Sequence, residues 1–191
     1  MSDEDQISQS PKFHRPLVGA VSSSSVKTWE WERVVHGLGV ICIEFQILET
    51  VIKTAIGELV AKDDPLVGSA ITAGLSFKTS IDVLYTLFEY QWEGSSRPKE
   101  LQPILARCIT AESKRNQLIH SNWYEPTKSR GITRVKFTAR FTAKAHNQRG
   151  LRVHHETVTP ADMDKIAEEL RACRKQLASY LYGVLHPSEP P

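Results

Sequence analysis

The chain has 191 residues, 40% apolar and 24% charged, with a formal net charge of +2. That length and apolar content support one domain with a sizeable core and exclude a disordered chain. Cys42, Cys108 and Cys173 are widely spaced and odd in number, with no CxxC or Cys/His ligand spacing. This excludes a disulfide framework or zinc module and fits small core residues in a reduced, cytoplasmic protein.

Taken in chain order, residues 1–25 lack apolar periodicity and end in SSSS, which reads as a disordered tail. The opening MSDEDQISQS is acidic and polar, unlike a secretory leader. No continuous apolar run approaches the ~20 residues of a membrane span, so no membrane partner is expected. From Trp29, the residues Leu38, Ile41, Phe45, Leu48, Ile52, Ile56 and Leu59 recur at helical spacing. KDDP closes this first helix, because Pro65 disfavours helix at the residue before it. A second helix is expected over 68–92, marked by Ile71, Leu75, Ile81, Leu84, Leu87 and Phe88 and stopped by EGSSRP. A third begins near Pro98, a favourable first-turn proline, and ends near Trp123.

The period then changes. In RVKFTARFTAK, Val135, Phe137, Ala139, Phe141 and Ala143 alternate with polar residues, the pattern of a half-buried strand. HNQRG reads as a turn and LRVHHETV as the returning strand. The last helix opens with Thr159 as N-cap, Pro160 as its first residue, and Asp162 and Asp164 at its positive end. Short connections imply antiparallel neighbours. The expected fold is therefore mainly α: a four-helix up-and-down bundle with a β-hairpin over 131–158 inserted before the last helix. It forms a single domain over 26–186, with a frayed terminus at 187–191.

Chemistry concentrates in AESKRNQLIHSNWYE, residues 111–125. At about 100° per residue, Glu112 and Arg115 project into the stripe of Leu101, Leu105 and Cys108, with Asn116 beside them. Glu112, Asn116 and His120 follow one another at i, i+4, i+8, and Glu112 and Arg115 can pair at i, i+3. Burying an unpaired charge is expensive, so this face must be a paired polar network or an opening to solvent. A structural network is one reading: Glu112 pairs Arg115, Asn116 braces them, and His120 sits at the helix end. A catalytic set is the other. An imidazole moves protons, a guanidinium stabilises phosphate charge, and an amide can fix the histidine tautomer. Such a set suits phosphodiester cleavage by the substrate's own 2′-hydroxyl, with no metal or cofactor required.

The run Arg115-Asn116-Gln117-Leu118-Ile119-His120 resembles the motif of the HEPN superfamily, in which an Arg is followed after four to six residues by a His. It matches the variant with Asn directly after Arg. The resemblance covers about residues 28–123 and 160–185; the hairpin departs from a minimal bundle. It implies a small helical bundle and a metal-independent ribonuclease of a toxin–antitoxin or antiphage defence setting. It also implies a homodimer in which two motifs face each other in one composite site. Arg115 and His120 become the catalytic pair and Asn116 its polar support, while Glu112 is added from the geometry of this chain. The partners implied are RNA, a second copy, and an antitoxin or larger defence complex. Members of the superfamily that have lost activity imply the alternative, a non-catalytic RNA- or protein-binding subunit.

Charge is polarised along the chain. Residues 126–155 hold eight Lys or Arg and no Asp or Glu, leaving 16 basic and 22 acidic residues elsewhere. Arg134, Lys136, Arg140 and Lys144 share one strand face, opposite Val135, Phe137 and Phe141. That cationic face is either a sheet edge protected by charge or a phosphate-contact surface for RNA. His154 and His155 point to opposite strand faces and cannot chelate together. Trp29, Trp31, Trp92 and Trp123 fit core or rim positions.

Overall fold

Helix α1, Ser25–Val60, carries the molecule. Val34, Ile41, Leu48, Ile52 and Ile56 are fully buried along one side of it, and each such side chain contributes roughly 1.5–3 kcal/mol of transfer free energy. The structure, a computed structural model, describes residues 25–126, 131–140 and 150–187. The expected tail, apart from Ser25, and positions 188–191 of the expected frayed terminus lie outside the described residues.

Four more helices and a small sheet complete the fold: α2 (Pro65–Thr72), α3 (Phe77–Gln91), α4 (Arg97–Ile119), β1 (Asn122–Tyr124), β2 (Thr133–Arg140), β3 (Gly150–Thr157) and α5 (Pro160–Leu185). The chain is thus mainly helical with one three-stranded antiparallel sheet, in the order β1-β2-β3. Helix α1 packs on all four other helices, and α4 packs on α3 and α5. Between them lies one core that includes Leu84, Phe88, Leu101, Cys108, Met163, Leu170 and Leu177.

Two expectations are corrected here. The single helix read over 68–92 is two helices. Helix α2 ends at Thr72, and Ser76 caps α3 by accepting from the Thr79 amide at 3.2 Å. Gly74 sits in the break, where nothing favours continuing the helix. Helix α4 ends at Ile119 rather than near Trp123, which instead lies in a third strand, paired Trp123↔Arg134. Separately, Trp29–Val60 is long and apolar enough to cross a membrane by length and composition alone, with mean hydropathy 1.6. In this fold the same helix is the central packing element.

Two local devices set the helix geometry. Asp64 caps α2 by accepting from Leu66 and Val67 amides at 3.1 Å, with Pro65 in the first turn. Helix α2 can then lie on α1 because Gly57 meets Gly68; a Cβ on Gly68 would sit 2.8 Å from the Gly57 Cα. At α5 the N-cap read from sequence is Thr159, and the structure adds a full capping box: the Asp162 amide donates to Thr159 Oγ1 at 3.3 Å, and the Thr159 amide donates to Asp162 Oδ2 at 2.8 Å. The Thr159 hydroxyl also donates to Asp162 Oδ2 at 2.7 Å, and this bond, followed by the one from the Thr159 amide, holds the Asp162 carboxyl below its usual range. Thr159→Ala should therefore destabilise the fold by about 1 kcal/mol at neutral pH. A depressed carboxylate stabilises the fold above its ordinary pKa, and that stabilisation is lost as pH falls through the folded value. The deficit of the variant should accordingly shrink in acid. Urea melts at neutral and acid pH measure both, and equal deficits would show that the box is not linked to Asp162.

Candidate active site on helix α4

The last turns of α4 hold the residues singled out in the sequence. Arg115 Nη1 donates to Asn116 Oδ1 at 2.9 Å, and Asn116 Nδ2 donates to Glu112 Oε1 at 3.2 Å. The three side chains are half-buried and form a paired polar network. The link runs through Asn116; among the described residues no direct ion pair joins Glu112 and Arg115. The Arg115 guanidinium lies over the Phe45 ring of α1, 4.6 Å from its centroid, and Phe45 in turn packs on Phe77. Arg115 Nε is buried without a hydrogen-bond partner. Ring and amide thus hold the guanidinium in one plane, a restraint that a lysine could not satisfy.

His120 stands apart from this network. It is the exposed C-cap residue of α4, and its backbone N–H returns to Asn116 O at 3.1 Å. Both polar atoms of the Asn116 side chain are engaged by Arg115 and Glu112. The expectation that Asn116 orients His120 is therefore corrected: Asn116 orients Arg115. Side chains four apart on a helix can touch, but the guanidinium one residue away offers the stronger, charge-assisted bond.

The helix end is tied down by residues that follow it. Gln117 O accepts from Ser121 Oγ at 2.5 Å and from Arg134 Nη1 at 2.8 Å, and Leu118 O accepts from Trp123 Nε1 at 3.0 Å. These side chains satisfy carbonyls that a helix end leaves open, and a cation there suits the negative end of the dipole. They also fix the sheet beside His120.

The cationic ribbon is only partly as expected. Arg134 does not face outward: its side chain is 13% exposed, pairs Glu156 at 2.7 Å through Nε, and reaches Gln117 O. Glu156 is its cross-strand partner and lies one residue beyond the stretch without acids. Lys136 is half-buried on the same strand. Arg140 closes β2 in the register Arg140↔Gly150, and Lys144 lies outside the described residues. Val135, expected on the packed face, is buried.

One further cluster escaped the sequence reading. Glu44, on the apolar side of α1, is 8% exposed and is held by Arg171 Nε at 2.9 Å and Arg174 Nε at 3.3 Å from α5. It clamps α1 to α5 one residue before Phe45, the ring that lies under Arg115. A carboxylate inside an apolar stripe was the available signal. Among the described residues, no three His, Cys, Asp or Glu side chains converge as metal ligands would. Compared with models of known families, with curated proteins and with solved structures, the chain matches none.

Proposed function

We propose that the chain is a metal-independent endoribonuclease of HEPN type, built as an up-and-down helical bundle and acting in a toxin–antitoxin or antiphage defence setting in the cytoplasm. One observation carries the reading: a guanidinium held by Asn116 and Phe45 at the end of α4, with an exposed imidazole five residues on. His120 takes the proton from the ribose 2′-hydroxyl or gives one to the departing 5′-oxygen. Arg115 Nη2 has no partner among the described residues, and it would donate to the phosphorane oxygens as charge builds there. The 2′-oxygen forms a bond to phosphorus, the bond to the 5′-oxygen breaks, and the products are a 2′,3′-cyclic phosphate and a 5′-hydroxyl. A second copy supplies the second Arg115–His120 pair across a two-fold axis. Incubating the purified chain with single-stranded RNA in chelator, and identifying the new ends, tests this. Cleavage that requires magnesium would overturn it.

A non-catalytic RNA- or protein-binding subunit is the second reading. It is favoured by the closed hydrogen bonding of Asn116, which leaves His120 outside the network. The same assay separates the two, since such a subunit leaves RNA intact.

The ribbon makes its own prediction. Lys136→Gln should flatten the slope of log affinity against log salt by roughly 0.7 if Lys136 contacts one phosphate of single-stranded RNA. Arg134→Gln should leave that slope unchanged and lower the melting temperature, because Arg134 holds Glu156 and the end of α4. Salt titrations in a His120→Ala background check both. An effect on slope from Arg134 alone would reverse the assignment.

A further inference from the structure

Cys108 of α4 and Cys173 of α5 are both buried, at 0% and 4% exposure, and the two thiols adjoin where α4 packs on α5. Two polar pairs bracket them across the same helix contact. Arg107 Nη1 donates to Gln176 Oε1, and Lys114 Nζ meets Glu169 Oε2 at 2.5 Å. The two thiols are not equivalent. Cys173 forms part of the wall of a cavity of about 410 Å³, lined also by Arg107, Thr110, Lys114 and Glu169, whereas Cys108 does not border it. A solute the size of a peroxide can therefore reach Cys173 first, with Cys108 behind it. The electrostatics run the same way. The adjoining Cys108 thiol, then Arg107 and Lys114, lower the Cys173 thiol to about 7, against burial and Glu169. Its neighbour Cys173 and burial push the Cys108 thiol far up. A thiolate is the nucleophile, so access and charge select the same sulfur.

We propose that Cys173 is a peroxide-reactive thiol and Cys108 its resolving partner, so that oxidation joins α4 to α5 through a reversible disulfide. In the first step the Cys173 thiolate attacks one oxygen of hydrogen peroxide. The O–O bond breaks, the sulfur is oxidised to a sulfenic acid, and hydroxide leaves. In the second step the Cys108 sulfur attacks the Cys173 sulfur. An S–S bond forms, and the sulfenic hydroxyl leaves with the Cys108 proton as water. One peroxide is thus reduced to water while two thiols become a disulfide, and a dithiol reductant restores them. The bond would lie two helical turns before Arg115 and pin that part of α4 to α5. None of this depends on the catalytic reading.

The full chain treated with hydrogen peroxide near neutral pH, alkylated and digested without reductant, gives the test. The expected product is a peptide linking Cys108 to Cys173 within one molecule, with an intact mass lower by two hydrogens and restored by dithiothreitol. In Cys108→Ser the second step cannot occur, so a dimedone probe should label Cys173. Before oxidation, limiting iodoacetamide should alkylate Cys173 at least tenfold faster than Cys108. Oxidation confined to Cys42, a cross-link only between molecules, or faster alkylation of Cys108 would each overturn the assignment. Because the mapping uses the unaltered chain, a poorly folded variant does not decide the outcome.

Discussion

RNA cleavage in chelator should fall by ~10²–10⁴ in His120→Ala, the usual loss when a proton-transfer group is removed. The fold should survive, because His120 is an exposed cap residue that holds α4 by its backbone. Arg115→Ala should lower the rate by ~10²–10³, as when a donor to developing charge is deleted. It also removes the contact with Phe45, so a stability control belongs with it. Arg115→Lys discriminates between charge and geometry. It keeps the positive charge but cannot both stack on the ring and donate to Asn116 as a planar fork. Little rescue is therefore expected. Asn116→Ala acts through Arg115, and should reduce cleavage while leaving RNA affinity close to the parent value. A fully active His120→Ala would remove the imidazole from the mechanism and favour the binding-subunit reading.

The largest loss of stability should come from Phe88→Ala. Phe88 is 0% exposed in α3, with its ring 4.5 Å from Trp92 and 6.3 Å from Tyr180 of α5 between centroids. Truncation removes the transfer free energy and leaves a cavity whose walls belong to different helices and cannot all collapse. The cost should be about 3–5 kcal/mol, out of a total on the order of 5–15 kcal/mol. For a chain of this size that lowers the melting temperature by roughly 6–20 °C. Tyr90 lies two residues further along the same helix and is exposed, so Tyr90→Ala is the matched control and should stay within about 0.5 kcal/mol of the parent. Equal losses for both would place the α3 core elsewhere. Calorimetry or urea melts give the answer.

Much of the helical framework was legible from local signals. The first helix follows from apolar spacing, which reports one continuous buried side over many turns. The start of the last helix follows from Thr159, Pro160 and Asp162, because capping involves neighbours in sequence and needs no tertiary partner. The hairpin follows from strict alternation through Val135 and from the change of period. The break at Gly74 was missed because Ile71 continues the apolar rhythm while being half exposed in the structure. Strand β1 was missed because three residues are too few to show a period, and Asn122–Tyr124 becomes a strand only by pairing with β2.

At the site, the sequence by itself determined which residues share the end of α4. Helical geometry places Glu112, Arg115 and Asn116 together whatever the rest of the chain does. Tertiary structure decided what each one does. Phe45 arrives from 70 residues upstream to carry Arg115, next to the Glu44 that Arg171 and Arg174 clamp. Arg134 was read as an outward cation from strand alternation alone. Its role was set by a cross-strand carboxylate and by two groups at the end of α4, Gln117 O and Ser121 Oγ. The pairing of Cys108 with Cys173 likewise required α4 and α5 to pack. Spacing on one element is fixed by backbone geometry, whereas a charge or thiol takes its partner from whatever the folded chain brings within reach.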